Sequence, residues 1–115
     1  MDLSTRPNIV DIVIDLHSRG FTFDFSLTGN EFFCSQNEFR LKASDIDIRE
    51  MYYFPRDTVH PCDKMVYAIE APAYYMKGIL IIIEEMHNCI YPEIIHNKLQ
   101  EYIFKMQRVF INDML

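Results

Sequence analysis

The sequence predicts an α+β domain in which an antiparallel meander sheet of about six strands is covered by an N-terminal helix and a long C-terminal helix. Two observations predict this fold. Apolar residues recur at helical spacing near both ends of the chain, whereas short runs between residues 21 and 84 alternate apolar and polar residues. The chain has 115 residues, of which 50% are hydrophobic, enough for one core. We therefore expect residues 1–115 to form a single domain.

The first helix is predicted to follow Thr5, whose hydroxyl group is suited to an N-cap, and to end at Gly20. Ile9, Ile12 and Leu16 repeat at helical spacing and form its apolar face. Glycine adopts the left-handed conformation that ends many helices without a steric penalty. Residue 20 is therefore the predicted end of the helix.

Six strands are predicted after this helix. The first begins at Phe21, because Phe21, Phe23 and Phe25 alternate with polar residues and so share one face. The other five are predicted near residues 32–35, 39–41, 46–54, 64–70 and 77–84. Ile46, Ile48, Tyr52 and Phe54 occupy alternate positions of one strand face, and Glu50 is the polar exception among them. This exception indicates a β-bulge or a local twist near Glu50. The sixth strand is apolar on both faces, so we expect a covering element on each.

The second helix is predicted over residues 92–112. Ile95, Leu99, Tyr102 and Met106 recur three and four residues apart and form an apolar stripe. A helix of this length extends about 30 Å, which is more than the sheet needs for cover. We therefore expect part of it to contact a second copy of the chain. The predicted contact residues are Tyr102, Ile103, Met106 and Phe110.

Charge and composition exclude several functions. Eleven Lys and Arg against 17 Asp and Glu give a net charge of -6 without a basic patch, so we expect no binding to nucleic acid or membrane. The longest aliphatic run, Ile79 to Ile83, is too short to span a bilayer. The start of the chain does not resemble a secretory signal, and three widely spaced cysteines suit a reducing compartment. We expect a cytoplasmic protein.

Three blocks of sequence carry a family resemblance: LHSRGFTFDF at 16–25, DIDIREMYYF at 45–54, and VYAI at 66–69 followed by KGIL at 77–80. In this order they resemble a family of small uncharacterised bacterial proteins that often carry the label phosphoribosylpyrophosphate synthetase. The resemblance covers residues 9–82 and implies a shared sheet with one helix, to which residues 92–112 are added. The labelled activity is not expected, because its phosphate site needs a Gly-rich loop and the three glycines here are isolated.

Two histidine and cysteine pairs have the same spacing. His60 and Cys62 are separated by one residue, and so are His87 and Cys89. Side chains two positions apart in an extended chain point the same way, so each pair offers an imidazole and a thiolate to one metal. If the last two strands form a hairpin, all four ligands meet at one end of the sheet and suit tetrahedral zinc. The alternative is ordinary loop histidines beside half-buried cysteines, since the spacing differs from that of zinc knuckles.

No catalytic residue is predicted. Cys34 lies in the second strand without a histidine near it in sequence, and we interpret it as a small buried apolar side chain. Asp45 and Asp47 resemble an acid pair, but without a neighbouring base we interpret them as part of a solvated turn. We therefore do not expect an enzyme.

The loop between the last two strands contains Tyr74, Tyr75 and Met76, which we predict to be an interaction surface, with simple packing as the alternative. The favoured function is a non-enzymatic protein-interaction module whose partner is another protein or a second copy of the chain. The alternative is a small-ligand or zinc-binding protein that uses the loop end around residues 57–63 and 85–91. No cofactor is predicted for the favoured function, and zinc belongs to the alternative.

Overall fold

A computed structural model describes residues 8–84 and 93–100. Helix α1 (Ile9–Ser18) is followed by strands β1 (Phe23–Thr28), β2 (Glu31–Cys34), β3 (Phe39–Lys42), β4 (Asp47–Phe54), β5 (Asp63–Ala71) and β6 (Met76–Glu84). Residues 93–100 are helical and are called α2. The predicted α+β class, the six strands and the N-terminal helix are confirmed. Residue 92 and residues 101–112 of the predicted second helix lie outside the described residues.

The strands form one mixed sheet in the order β3-β2-β1-β6-β5-β4. β1 and β6 pair in parallel, with Phe25 beside Leu80, whereas the other neighbouring strands are antiparallel. The predicted purely antiparallel meander is therefore wrong. Each half of the sheet, β1 to β3 and β4 to β6, is a meander by itself. The two halves join where β1, the first strand of one half, pairs in parallel with β6, the last strand of the other.

The short connection between β3 and β4 implies that the sheet curls. Lys42 ends β3 at one edge, Asp47 begins β4 at the opposite edge, and only residues 43–46 lie between them. This connection reaches at most about 18 Å. The edges of a flat six-stranded sheet are about 24 Å apart. The sheet must therefore curl so that the start of β4 approaches the end of β3. Ala43 and Ile46, which lie in this connection, are both buried in the larger core cluster, together with Phe32 and Leu80.

Each face of β6 packs against a helix. Leu80 and Ile82 lie in one core cluster with Ile95 and Leu99 of α2. Ile79 lies in a second cluster, against Ile12 and Leu16 of α1. The other buried members of this cluster are Phe21, Val66 and Ala68. The prediction that both faces of this strand are covered is confirmed at these positions. We call the two sides of the sheet the α1 face and the α2 face.

The end of α1 differs from the prediction at Phe21. The backbone N–H of Phe21 donates to the carbonyl oxygen of Leu16 at 3.0 Å, and Gly20 has a φ of 97°, which together form a Schellman-type helix end. Phe21 therefore belongs to the turn and packs on the α1 face, whereas Phe23 and Phe25 pack on the α2 face. The prediction that the three phenylalanines share one face is wrong.

The start of α1 also differs from the prediction. Asn8, not Thr5, is the N-cap: its side chain accepts a hydrogen bond from the backbone N–H of Asp11 at 2.9 Å. The Asp11 carboxylate in turn accepts from the backbone N–H of Asn8 at 3.3 Å. This reciprocal capping box satisfies two donors that a helix start otherwise leaves free, and it sets the first helical residue at Ile9.

The predicted bulge in β4 is confirmed. The register between β4 and β5 shifts between Ile48 and Glu50. The extra residue reverses the parity of the strand, so that Ile48 packs on the α2 face while Tyr52 and Phe54 pack on the α1 face. The prediction that these three apolar residues share one face is therefore wrong. The bulge also places the carboxylate of Glu50 on the side of α1.

Candidate functional site

A cleft of about 710 Å³ lies along β4, and we call it the β4 cleft. Its walls come from the start of α1, the second half of β4 and the loop after it: Asn8, Ile9, Ile12, Met51, Tyr52, Tyr53, Phe54, Pro55, Arg56, Asp57, His60, Cys62 and Lys64. Residues 51–54 are consecutive, and successive side chains of a strand point to opposite faces. A cleft that touches all four must therefore follow the edge of the strand rather than one face.

β4 lies at an edge of the sheet, and among the described residues its second half shows none of the features that usually protect an edge. Within the described residues β4 pairs only with β5. The opposite edge, β3, is four residues long and carries exposed Arg40 and Lys42, which discourage pairing with another chain. The first half of β4 has a bulge and three charged residues, whereas residues 51–54 carry no charge. The exposed fraction of Tyr53 is 55%.

The loop beside the cleft is held by Asp57. Its carboxylate accepts hydrogen bonds from the backbone N–H groups of His60 at 2.6 Å and Val59 at 2.9 Å. These hydrogen bonds hold the pKa of Asp57 below its usual value. The Nδ1 atom of His60 lies 3.3 Å from the same carboxylate. His60 is thus positioned at the cleft by its own loop, with the Nε2 atom on the other side of the ring.

A second ion pair closes the base of this loop. The Asp63 carboxylate accepts from the backbone N–H of Arg56 at 2.8 Å and from its Nε and Nη2 atoms at 3.2 Å each. The guanidinium side chain and then the backbone N–H lower the pKa of Asp63. The charge of Arg56 is therefore neutralised within the protein.

Lys64 differs from the other charged residues of the cleft. Arg56 pairs with Asp63, and Asp57 contacts His60. Within residues 8–84 and 93–100, Lys64 has no ion-pair partner among the salt bridges of the structure. In the ladder of β4 and β5 it lies opposite Phe54, and its side chain is half-buried. The cleft therefore contains one positive charge that the described protein does not neutralise.

Two of the four predicted zinc ligands line the β4 cleft. His60 and Cys62 both contribute to its wall, and the thiol of Cys62 is free and half-buried. His87 and Cys89 lie outside the described residues. Among the residues that the structure describes, no group of three or more His, Cys, Asp or Glu side chains is arranged to hold a metal ion. The four-ligand site stays a prediction.

The predicted interaction residues of the β5–β6 turn are divided between surface and core. The exposed fraction of Tyr75 is 95%, and its φ is 55°. The ring of Tyr74 packs edge-on against Phe39, with 4.9 Å between the ring centroids. Met76 is buried in the core, with an exposed fraction of 5%. The other predicted interaction residues, Tyr102, Ile103, Met106 and Phe110, lie outside the described residues.

Cys34, Asp45 and Asp47 lie in β2, in the short turn after β3 and at the start of β4. Cys34 is completely buried, and its thiol donates to the side-chain carbonyl of Gln36 at 3.2 Å. Asp45 accepts from the backbone N–H of Lys42 at 2.9 Å and caps the short turn between β3 and β4. Asp47 lies at the exposed start of β4, 3.7 Å from Arg49.

Sequence reasoning missed the β4 cleft and a polar cluster beneath α1. Arg19 makes a two-point ion pair with Glu50, and the hydroxyl group of Tyr52 also donates to Glu50. Arg19 lowers the pKa of Glu50, while burial is the main cause that raises the pKa of Tyr52. The ammonium group of Lys77 donates to the Arg19 carbonyl at 3.0 Å and lies 4.4 Å from the Phe21 ring centroid. This cluster attaches the end of α1 to the sheet.

Comparison of the chain with family models, curated proteins and solved structures found no match. No helix in the described part of the chain is long and apolar enough to cross a membrane. The function is therefore inferred from the β4 cleft and the residues that line it.

Proposed function

We propose that the protein is a non-enzymatic interaction module that binds an extended segment of another protein by adding it as a strand beside β4. The observation that carries this proposal is the course of the β4 cleft, which follows the edge of the strand at residues 51–54, an edge that no other strand in the described part of the chain occupies. An open edge presents backbone N–H and carbonyl groups that a guest strand satisfies. A compact ligand would not use this row of backbone groups.

Side chains around the edge support the same mode of binding. Tyr52 and Phe54 face α1, whereas Met51 lies on the α2 face. A guest strand would send alternate side chains to the two faces, where each meets an apolar or aromatic neighbour. Tyr53 adds a large exposed ring at the centre of the edge. Backbone hydrogen bonds supply affinity in such complexes, and the flanking side chains supply specificity.

The proposal is tested with a displayed library of random ten-residue peptides selected on the intact chain. Selected peptides are synthesised, and amide hydrogen exchange of the protein is measured with and without them. We expect slower exchange in the segment that contains residues 51–54. Tyr53→Lys places a charge on the open edge and is expected to weaken binding at least tenfold. Tyr75→Lys, which changes an exposed tyrosine of the β5–β6 turn, is the matched control.

Two outcomes would contradict the proposal. A selection that yields no peptide able to slow exchange in residues 51–54 removes strand addition at β4. A loss of affinity in Tyr75→Lys that equals the loss in Tyr53→Lys moves the interaction to the β5–β6 turn, which is the surface predicted from Tyr74 and Tyr75. Circular dichroism spectra of both variants establish that they are folded.

We do not propose phosphoribosylpyrophosphate synthetase activity. The three glycines have separate structural positions: Gly20 ends α1, Gly29 lies between β1 and β2, and Gly78 lies within β6. They do not form the Gly-rich loop with which a phosphate site surrounds its ligand. The family resemblance over residues 9–82 and the cytoplasmic location stay predictions.

Zinc or small-ligand binding is the second candidate, and one observation favours it: His60 and Cys62 line the same cleft. Elemental mass spectrometry of protein purified without a histidine tag tests it. About one zinc per chain, lost in Cys62→Ser, supports the four-ligand site with His87 and Cys89. A zinc content near zero removes it. A thermal-shift screen with small anions and nucleotides tests the cleft for other ligands.

The homodimer prediction rests mainly on residues 101–112, which lie outside the described residues. Ile95 and Leu99 of α2 are buried in the core, so truncating the helix would also remove core contacts. Light scattering on the intact chain and on Met106→Asp is the better test. A dimer that Met106→Asp converts to a monomer supports the prediction, and a monomeric intact chain removes it.

A further inference from the structure

We infer that the segment bound beside β4 carries an acidic side chain that pairs with Lys64. Two positions away, the same segment carries an apolar side chain that packs between α1 and β4. This inference rests on the proposed function, because it requires a guest strand at the β4 edge. It adds the chemical class of the partner, which the open edge alone does not define.

The charge of the guest follows from the ion pairs around the β4 cleft. The carboxylate of Asp63 accepts two hydrogen bonds from the side chain of Arg56 and a third from the Arg56 backbone N–H. The carboxylate of Asp57 accepts hydrogen bonds from the backbone N–H groups of Val59 and His60 and lies beside the His60 ring. Lys64 is the one charged residue of the lining without such a partner in the described ranges 8–84 and 93–100. A basic guest would add a second positive charge beside it, whereas an acidic guest neutralises it.

The position of Lys64 places this charge within reach of a guest strand. Lys64 lies opposite Phe54 in the ladder, and side chains that are paired across two strands share a face. Its side chain therefore projects from the α1 face, where Phe54 packs. A strand beside β4 would lie two strand spacings, about 10 Å, from β5. The extended side chains of lysine and glutamate together span this distance.

The apolar position follows from the other wall of the cleft. Ile9 and Ile12 of α1 face Tyr52 and Phe54 across the second core cluster, and all four also line the cleft. Guest side chains that point to the α1 face are two residues apart. The guest residue opposite Phe54 would lie near Lys64. The guest residue two positions away would lie beside Tyr52. The geometry therefore predicts one acidic and one apolar residue at this spacing.

The first experiment repeats the library selection on Lys64→Glu. With the unmodified chain, we expect selected peptides to contain aspartate or glutamate two residues from an apolar or aromatic residue. With Lys64→Glu, we expect lysine or arginine in place of the acid. Lys42→Glu changes an exposed lysine of β3 at the other edge of the sheet and is expected to leave the selected sequences unchanged.

The second experiment is a double-mutant cycle on one selected peptide, in which the acid is replaced by its amide. For the unmodified chain, we expect the amide peptide to bind about two- to fivefold more weakly, the range of partly exposed ion pairs. For Lys64→Gln, we expect the acid and amide peptides to bind equally. The cycle keeps the test valid if Lys64→Glu does not fold.

The outcomes separate the two claims. Peptides that slow exchange at residues 51–54, but show no acidic preference and no coupling to Lys64, overturn the inference while strand addition stands. Absence of any peptide that protects residues 51–54 overturns strand addition and the inference with it. Coupling to Lys64 together with protection of residues 51–54 supports both.

Discussion

Arg19 and Glu50 connect the end of α1 to the bulge of β4 through two parallel hydrogen bonds. The Nη1 atom of Arg19 lies 2.6 Å from Oε2 of Glu50, and the Nη2 atom lies 2.9 Å from Oε1. The Nε atom of Arg19 also donates to Asp15 at 3.1 Å. This two-point geometry is specific to a guanidinium group facing a carboxylate. Arg19 thereby attaches the C-terminal end of α1 to the sheet. Because the N-terminal end of the same helix forms one wall of the β4 cleft, this attachment also holds that wall in place.

Replacement of Glu50 by glutamine is expected to destabilise the protein. The amide retains the shape of the side chain but loses the charge that holds Arg19, so we expect a loss of about 1 kcal/mol in the free energy of unfolding, reduced by the partial exposure of the pair. Urea unfolding monitored by circular dichroism measures it. Glu31→Gln, whose partner Arg40 is exposed and 3.6 Å away, is the matched control and should change stability little. Equal effects of the two substitutions would contradict the structural role of the Arg19–Glu50 pair.

The same pair predicts a dependence of stability on pH. Arg19 holds the pKa of Glu50 below its usual value of 4.5. A carboxyl group with a depressed pKa in the folded state stabilises that state above its unfolded pKa, and the contribution is lost as the pH falls through the folded pKa. The stability difference between the unmodified chain and Glu50→Gln should therefore be full at pH 6 and decrease progressively below about pH 4.5. A difference that is constant from pH 6 to pH 3 would contradict this prediction.

Gly78 is predicted to be required for the parallel pairing of β1 and β6. A Cβ atom at this position would lie 2.5 Å from a ring carbon of Phe25 and would also collide with the Phe23 carbonyl oxygen. Gly78→Ala should therefore lower the free energy of unfolding by about 1 to 3 kcal/mol through overpacking. Ser26→Ala, an exposed position on the neighbouring strand, is the control and should change stability by less than about 0.5 kcal/mol. A Gly78→Ala chain as stable as the control would contradict the close packing of these strands.

Cys34 and Cys62 are predicted to differ in their reaction with iodoacetamide. Cys34 is completely buried, whereas Cys62 lies in the wall of the β4 cleft. In native buffer we expect alkylation of Cys62 within minutes and of Cys34 only after unfolding, as measured by peptide mass spectrometry. A selected peptide bound in the cleft should slow the reaction of Cys62. Equal native rates for the two thiols would contradict the burial of Cys34.

Local sequence signals predicted the elements well, because their causes are local. The helical spacing of Ile12 and Leu16 and the alternation around Phe23 and Phe25 each reflect one element and the face that it buries. The polar break at Glu50 correctly indicated the bulge. Phe21 was misassigned because its alternation with Phe23 continues the strand pattern, while the hydrogen bond to Leu16 keeps it in the helix-ending turn.

The order of the strands and the position of the β4 cleft could not be predicted from local sequence patterns. The parallel contact of β1 with β6 joins residues more than fifty positions apart, such as Phe25 and Leu80, and depends on how two meanders meet. The cleft combines the start of α1 with the second half of β4 and the loop after it. One signal was available: residues 51–54 are apolar or aromatic at four consecutive positions without a charge, which is unusual for a strand that ends at a sheet edge.

The most direct test of strand addition is an NMR measurement on the isotopically labelled chain bound to a selected peptide. We expect interstrand nuclear Overhauser effects between backbone protons of the peptide and those of residues 51–54, in the continuous pattern of a β-ladder. Side-chain contacts of the peptide with Tyr53 should accompany them. Overhauser effects confined to the β5–β6 turn at Tyr74 and Tyr75, with none along β4, would contradict the account.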